Sequence, residues 1–298
     1  MKPFFTVIIP TYNNADIIGD TINSVLNQTF SDFELIIIDD GSTDNTKEKV
    51  LSYKDDRITY TKIENFGGPS KPRNIGISIS RSDWICFLDS DDTWNSDKLE
   101  VCHKYINPET DFIYHKVKVV GSYFLNTSRY MGTKELNKPI LKDLLLKGNC
   151  IVNSSVVVRK SILNKVNNIN ESRKMIATED FNTWLKISRI TQKFIYIPLV
   201  LGNYLVDGNG ISKRDVYHPY REATMEFVKF LDKDESLIFN LNLERLELKN
   251  KIINGSIDLL DLPFIKFIIN KKFSFLMKLS LIWFLVWKER VMRESFKK

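Results

Sequence analysis

The sequence predicts an α/β fold built on a mostly parallel sheet, and three apolar segments carry that prediction. Phe5–Asn13, Glu34–Ser42 and Trp84–Asp92 are strand-length runs rich in Ile, Val, Leu and Phe, and each ends in polar residues. Asp16–Gln28 follows the first run with Ile18, Ile22, Val25 and Leu26 at helical spacing. Ser42–Tyr53 follows the second as a helix, with Ser42 or Thr43 available as its cap. Apolar strands alternating with amphipathic helices make parallel sheets through crossover connections. Open α/β sheets bind ligands beyond the carboxyl ends of their strands, so the three polar strand ends should meet at one edge, where a nucleotide would sit.

The remaining elements follow in chain order. Gly67 and Gly68 permit a tight loop, and Pro69 can open a helix that carries Lys71 and Arg73 on its first turn. Asn95–Ile106 reads as a helix that Asp92 can cap, Pro139–Lys147 as another, and Val152–Arg159 as a strand. A helix runs through Ile190 with Glu179 and Asp180 on its first turn and Trp184 and Leu185 in the core. Arg221–Leu231 and Leu237–Leu260 are helical in pattern. Residues 1–107 then form a nucleotide-binding half, 108–215 a second half that carries Glu179 and Asp180, and 216–298 a helical extension.

Trp84–Asp92 is the richest segment, because it delivers Asp89, Asp91 and Asp92 together. Crowded carboxylates repel one another unless a cation joins them, and Asp oxygens suit hard ions such as Mg2+ or Mn2+ that also hold phosphates. The plainer reading is an Asp-rich turn that caps the next helix. Three cysteines without paired spacing (Cys86, Cys102, Cys150) fit a reducing compartment and argue against zinc, and three scattered histidines leave no Ser-His-Asp triad. No basic-then-apolar leader opens the chain, which predicts a cytoplasmic protein. From Phe264 to Lys298 nine Lys and Arg face two Glu, a net of +7 that accounts for the whole +6 of the chain. This tail also holds the apolar run Phe273–Trp287, interrupted by Lys278. It is short of the ~20 residues of a spanning helix, and it suits a helix lying in a membrane interface or one packed on protein. Nothing in the chain resembles a nucleic-acid-binding module.

Val7-Ile-Ile-Pro-Thr-Tyr-Asn13, Asp39-Asp-Gly-Ser-Thr-Asp44, Gly67–Gly76, Phe87-Leu-Asp-Ser-Asp-Asp92 and Thr178-Glu-Asp180 together resemble glycosyltransferase family 2, over residues 4–212. The resemblance implies a GT-A fold and an inverting, metal-dependent nucleotide-sugar transferase. It assigns Thr11, Tyr12, Asp39 and Asp40 to the nucleoside, with Asp40 suited to accept the N3–H of uracil. It puts Lys71 and Arg73 near the phosphates and Asp89 and Ser90 at the ribose. Asp91 becomes the direct ligand of Mn2+ or Mg2+, with Asp89 close to the ion or its water. Asp180 matches the catalytic base, and Glu179 is the other candidate. Relatives often carry a His where this chain has Asp207, and that carboxylate can ligate the same ion. The implied donor is a UDP-hexose. The implied acceptor is a lipid-linked saccharide at the cytoplasmic face of a bacterial inner membrane, as in O-antigen or capsule assembly. Sugar-phosphate nucleotidyl transfer, or a non-catalytic scaffold on the same fold, are the alternatives.

Overall fold

A computed structural model describes residues 2–121, 129–132, 134–206 and 216–253. Its first half keeps the predicted alternation and adds an unpredicted strand, β3: β1 (Phe5–Thr11), α1 (Ile18–Leu26), β2 (Phe33–Asp39), α2 (Thr46–Leu51), β3 (Ile58–Lys62), α3 (Ser70–Ile79) and β4 (Trp84–Phe87). The rest comprises β5 (Thr93–Trp94), α4 (Lys98–Lys104), β6 (Phe112–Val120), β7 (Arg129–Met131), α5 (Ile140–Lys147), β8 (Val157–Arg159), α6 (Lys160–Lys165), α7 (Glu179–Ile190), β9 (Phe194–Leu205), α8 (Tyr217–Thr224) and α9 (Lys233–Ile253).

One mixed sheet joins these strands in the order β3-β2-β1-β4-β8-β6-β9-β5, with β7 beside β6. The β3-β2-β1-β4 part is parallel, and β8 runs antiparallel to both β4 and β6. The sheet therefore continues across the boundary between the two sequence halves. Register aligns Thr11 with Asp39 and Asp39 with Lys62, which brings the polar strand ends level at one edge.

Helices cover both faces, so β1, β2 and β4 are buried along their whole length. This two-sided burial is why they read as unbroken apolar runs. Successive side chains still alternate between two cores. Phe5, Val7 and Ile9 pack with α1, whereas Ile8, Ile85 and Phe87 pack with Trp184 and Leu185 of α7. At Gly76 of α3 an added Cβ would lie 2.6 Å from Ile8 Cγ2, so the lack of a side chain there sets the helix–sheet approach.

Several expectations are corrected. α2 starts at Thr46, and neither Ser42 nor Thr43 caps it; Asp44 Oδ1 accepts the Thr46 amide at 3.0 Å instead. Of Val152–Arg159 only Val157–Arg159 is strand, because Asn153–Ser155 tightens into a 3-10 turn. Asp92 caps no helix: it is buried and accepts Ser154 Oγ and the Leu205 amide, while α4 starts only at Lys98. Arg221–Leu231 divides into the end of α8 and a 3-10 segment, Met225–Phe230. α9 begins before Leu237 and packs on α5, where Asn242 Nδ2 donates to the Leu146 carbonyl at 2.9 Å and Lys142 meets Glu235 at 2.7 Å. Asp207 and the basic tail after Ile253 lie outside the described residues. Among the described residues no helix is long and apolar enough to cross a membrane.

Candidate active site

At the sheet edge the two strand-end carboxylates of β2 are already engaged by the protein. Asp39 Oδ1 accepts the Ser42 amide at 2.7 Å, and its Oδ2 accepts the Tyr60 hydroxyl at 2.5 Å. Asp40 accepts the amides of Phe66, Gly67 and Gly68 at 2.7, 2.9 and 3.3 Å. Gly67 has φ +85°, a conformation that glycine adopts without strain, so Asp40 and Gly67 together shape this loop. Asp40 is only 4% exposed and keeps lone-pair capacity for one further donor. Thr11 stands differently: its hydroxyl is buried with no partner, and Tyr12 beside it is 50% exposed.

α3 carries Arg73 into the aspartate corner. Its guanidinium is buried between Asp89 Oδ1 at 2.6 Å and Glu179 Oε1 at 2.7 Å. Burial alone would discourage the charged form; the carboxylates of Asp89 and Glu179 outweigh it and hold the guanidinium protonated. Arg73 therefore braces the aspartate corner against the start of α7, and its two terminal nitrogens face carboxylates. Lys71, two residues earlier on the same first turn, has its ammonium 5.5 Å from the Phe66 ring centroid.

The corner after β4 is held from several sides. Asp89 also accepts Asn153 Nδ2 at 2.9 Å, and its amide donates to Ser154 Oγ at 3.1 Å. Ser154 Oγ donates to Asp92 at 2.5 Å, while Asp92 accepts the Leu205 amide at 2.9 Å. Ser90 is tied by Asn14 Nδ2 on its hydroxyl and by Thr21 Oγ1 on its carbonyl, so it serves the shape of the turn. Asp91 is partly exposed at this corner. Burial, and then the charges of Asp89 and Asp91, push the Asp92 carboxyl well above the ordinary range. A concentrated negative field with oxygen donors fits a hard divalent ion. Among the described residues no group of three or more His, Cys, Asp or Glu is placed to hold a metal ion.

α7 supplies the acids on the other side. Asp180 is partly buried and accepts the Phe181 amide at 2.6 Å. Burial and the neighbouring Glu179 push its carboxyl up to about 7, against the pull of Arg73. A base poised near neutrality is suited to taking a proton from a hydroxyl. Glu179 is buried and tied to Arg73, which fits an orienting role better than proton transfer. Ala177, just before α7, has φ +74°, a strained conformation for a residue with a Cβ.

Sequence reasoning missed Asn153, Ser154 and Tyr204. The first two were read as strand, although Asn-Ser-Ser is turn-prone chemistry. Tyr204 lies on β9 within electrostatic reach of Asp92, Asp89, Asp91 and Asp180, and burial followed by those charges keeps its phenol protonated.

Comparison with known proteins identifies the family and the fold. The profile of the family described as glycosyl transferase family 2 matches residues 6–166. The Escherichia coli UDP-Glc:alpha-D-GlcNAc-diphosphoundecaprenol beta-1,3-glucosyltransferase WfaP is 32% identical over 220 residues, 74% of this chain and 84% of that one. Among solved structures, S. aureus TarS 1-349 in complex with UDP-GlcNAc has TM-score 0.62 at 21% identity, over 91% of this chain and 77% of that one. Mannosyltransferase PcManGT from Pyrobaculum calidifontis, in complex with GDP-Man and Mn2+, has TM-score 0.59 at 17% identity, over 86% and 73%. The fold is GT-A, and the nucleotidyltransferase and scaffold alternatives are set aside. The chain belongs to glycosyl transferase family 2 and is a glycosyltransferase.

Proposed function

We propose that this chain is an inverting transferase that moves a hexose from a UDP-sugar to a saccharide carried on a lipid diphosphate, in assembly of an O-antigen or capsule-type polysaccharide. The observation that carries this reading is the buried Arg73 brace, which ties the donor-side Asp89 to the segment bearing Asp180. Thr11 and Tyr12 receive the nucleoside, with Asp40 available to the N3–H of a uracil. Asp91 and Asp89 would hold Mn2+ or Mg2+, which when bound neutralises charge on the diphosphate. Asp180 takes the proton of the acceptor hydroxyl as its oxygen bonds to the anomeric carbon. The bond from that carbon to the diphosphate breaks on the opposite face, and UDP leaves with the electron pair. Inversion follows from this in-line geometry. The activity in WfaP's name supports glucose as the sugar and a GlcNAc diphosphate lipid as the acceptor. A peripheral site on the cytoplasmic face of the inner membrane, reached through the basic tail, suits such an acceptor.

The test is UDP release from UDP-glucose with Mn2+, with and without a GlcNAc-diphosphate lipid. Acceptor-dependent release giving a β-linked disaccharide lipid is expected. Release from no UDP-sugar, with any lipid diphosphate saccharide, would overturn the reading.

A further inference from the structure

Phe66, in the loop organised by Asp40, has two cations beside it. Lys71 Nζ, from the first turn of α3, lies 5.5 Å from the ring centroid, and Arg173 Cζ lies 5.4 Å from it. Arg173 belongs to the 3-10 turn Arg173–Met175 that leads into α7 and Asp180. The two segments are in register with each other: an added Cβ on Gly68 would meet Ile176 Cγ1 at 3.5 Å, and Asn74 Nδ2 donates to the Ile169 carbonyl at 2.8 Å.

Among the described residues neither Lys71 nor Arg173 has a carboxylate in ion-pair range, and neither side chain makes a hydrogen bond. Glu171, the acid closest to Arg173 in sequence, is turned to Asn74 Nδ2 at 2.8 Å. An aromatic face supplies only about 0.5–1 kcal/mol to an exposed cation, which leaves like charges with an unmet need for an anion. A guanidinium fork and an ammonium are the pair that phosphate oxygens engage best, one bidentate and one as a point charge.

We infer that Lys71 and Arg173 form a clasp for the diphosphate of the acceptor, with Phe66 as its backing. The donor diphosphate belongs to the Asp89–Asp91 corner. Arg173 instead sits on the segment that leads into α7, whose first turn carries Asp180. The inference rests on the lipid-diphosphate reading above and assigns residues to it.

Two measurements separate the clasp from that reading. In the first, farnesyl diphosphate is titrated by calorimetry into the full chain saturated with UDP and Mn2+. Arg173→Ala and Lys71→Ala should each weaken its binding about tenfold, the loss typical of one charge-assisted phosphate contact. In the second, transfer from UDP-glucose is compared between a GlcNAc-diphosphate lipid and the same lipid glycoside without phosphate. Arg173→Ala should raise KM about tenfold for the first acceptor, erase the preference for it over the second, and leave the KM for UDP-glucose within about twofold. Unchanged farnesyl diphosphate binding overturns the clasp whatever the turnover. A rise in donor KM in place of acceptor KM overturns it too, since the cations would then serve the donor. Arg173-dependent binding without transfer to any lipid diphosphate saccharide would uphold the clasp and refute the functional reading.

Discussion

Replacing Arg73 by Met tests the brace between the two halves of the site. The side chain is 4% exposed and separates two carboxylates of unequal circumstance. Asp89 is 29% exposed and keeps the Asn153 amide as a donor, so water and Asn153 absorb most of its loss. Glu179 is 6% exposed; Arg73 is the donor to its Oε1, and its Oε2 is buried without a partner. Stripping one partner from a buried pair typically costs about 3–5 kcal/mol, and here most of that falls on Glu179. Against a typical stability of about 5–15 kcal/mol this is a large fraction, equivalent to a fall of roughly 10 °C in Tm. Urea denaturation of wild type, Arg73→Met, Glu179→Gln and the double variant measures it. The double variant should recover about 2 kcal/mol relative to Arg73→Met, because the uncompensated charge is gone. An Arg73→Met protein within about 1 kcal/mol of wild type, or a double variant no better than the single one, would refute the electrostatic brace.

Four further outcomes follow from the geometry. Because the Asp180 carboxyl is raised to about 7 and a base acts deprotonated, kcat/KM should fall with acid about tenfold per unit below that pH. Glu179→Gln should move this limb to lower pH, and a flat profile from about pH 5 to 8 contradicts the assignment. Asp180→Asn should lose about 10²–10⁴-fold in transfer yet bind UDP, as calorimetry would report. Gly76→Ala, ordinarily favourable in a helix, should destabilise by about 1–3 kcal/mol because of Ile8, with Ile8→Val restoring part of it in thermal melts. Ser154→Ala should cost about 1–3 kcal/mol, since buried Asp92 loses its hydroxyl donor; an unchanged Tm would contradict that.

Legibility of the chain followed burial. β1, β2 and β4 lie between two helical layers, and their apolar runs were plain in the sequence. β3, β6 and β9 were missed because polar residues or a proline break up their apolar runs. β3 is an edge strand of mixed burial, β6 carries Lys116 and Lys118 beside a register shift, and β9 contains Pro198. The carboxylates were legible because strand ends carry chemistry in this architecture. Their partners were not: Arg73 and Glu179 are 106 positions apart, and no local pattern joins them. Asn153 and Ser154 escaped because a turn inside an apolar stretch has no periodicity of its own. Asp39 and Asp40 accept loop amides and a phenol, contacts that no sequence pattern announces.

The central claim is that Asp89 and Asp91 hold a divalent ion on which nucleotide binding depends. Calorimetric titration of UDP with Mn2+ or with EDTA, in wild type and Asp91→Asn, tests it most directly. Binding that is about tenfold or more tighter with Mn2+, and indifferent to Mn2+ in Asp91→Asn, is the predicted result. Equal affinity in EDTA, or an Asp91→Asn protein that responds to Mn2+ as wild type does, would contradict it.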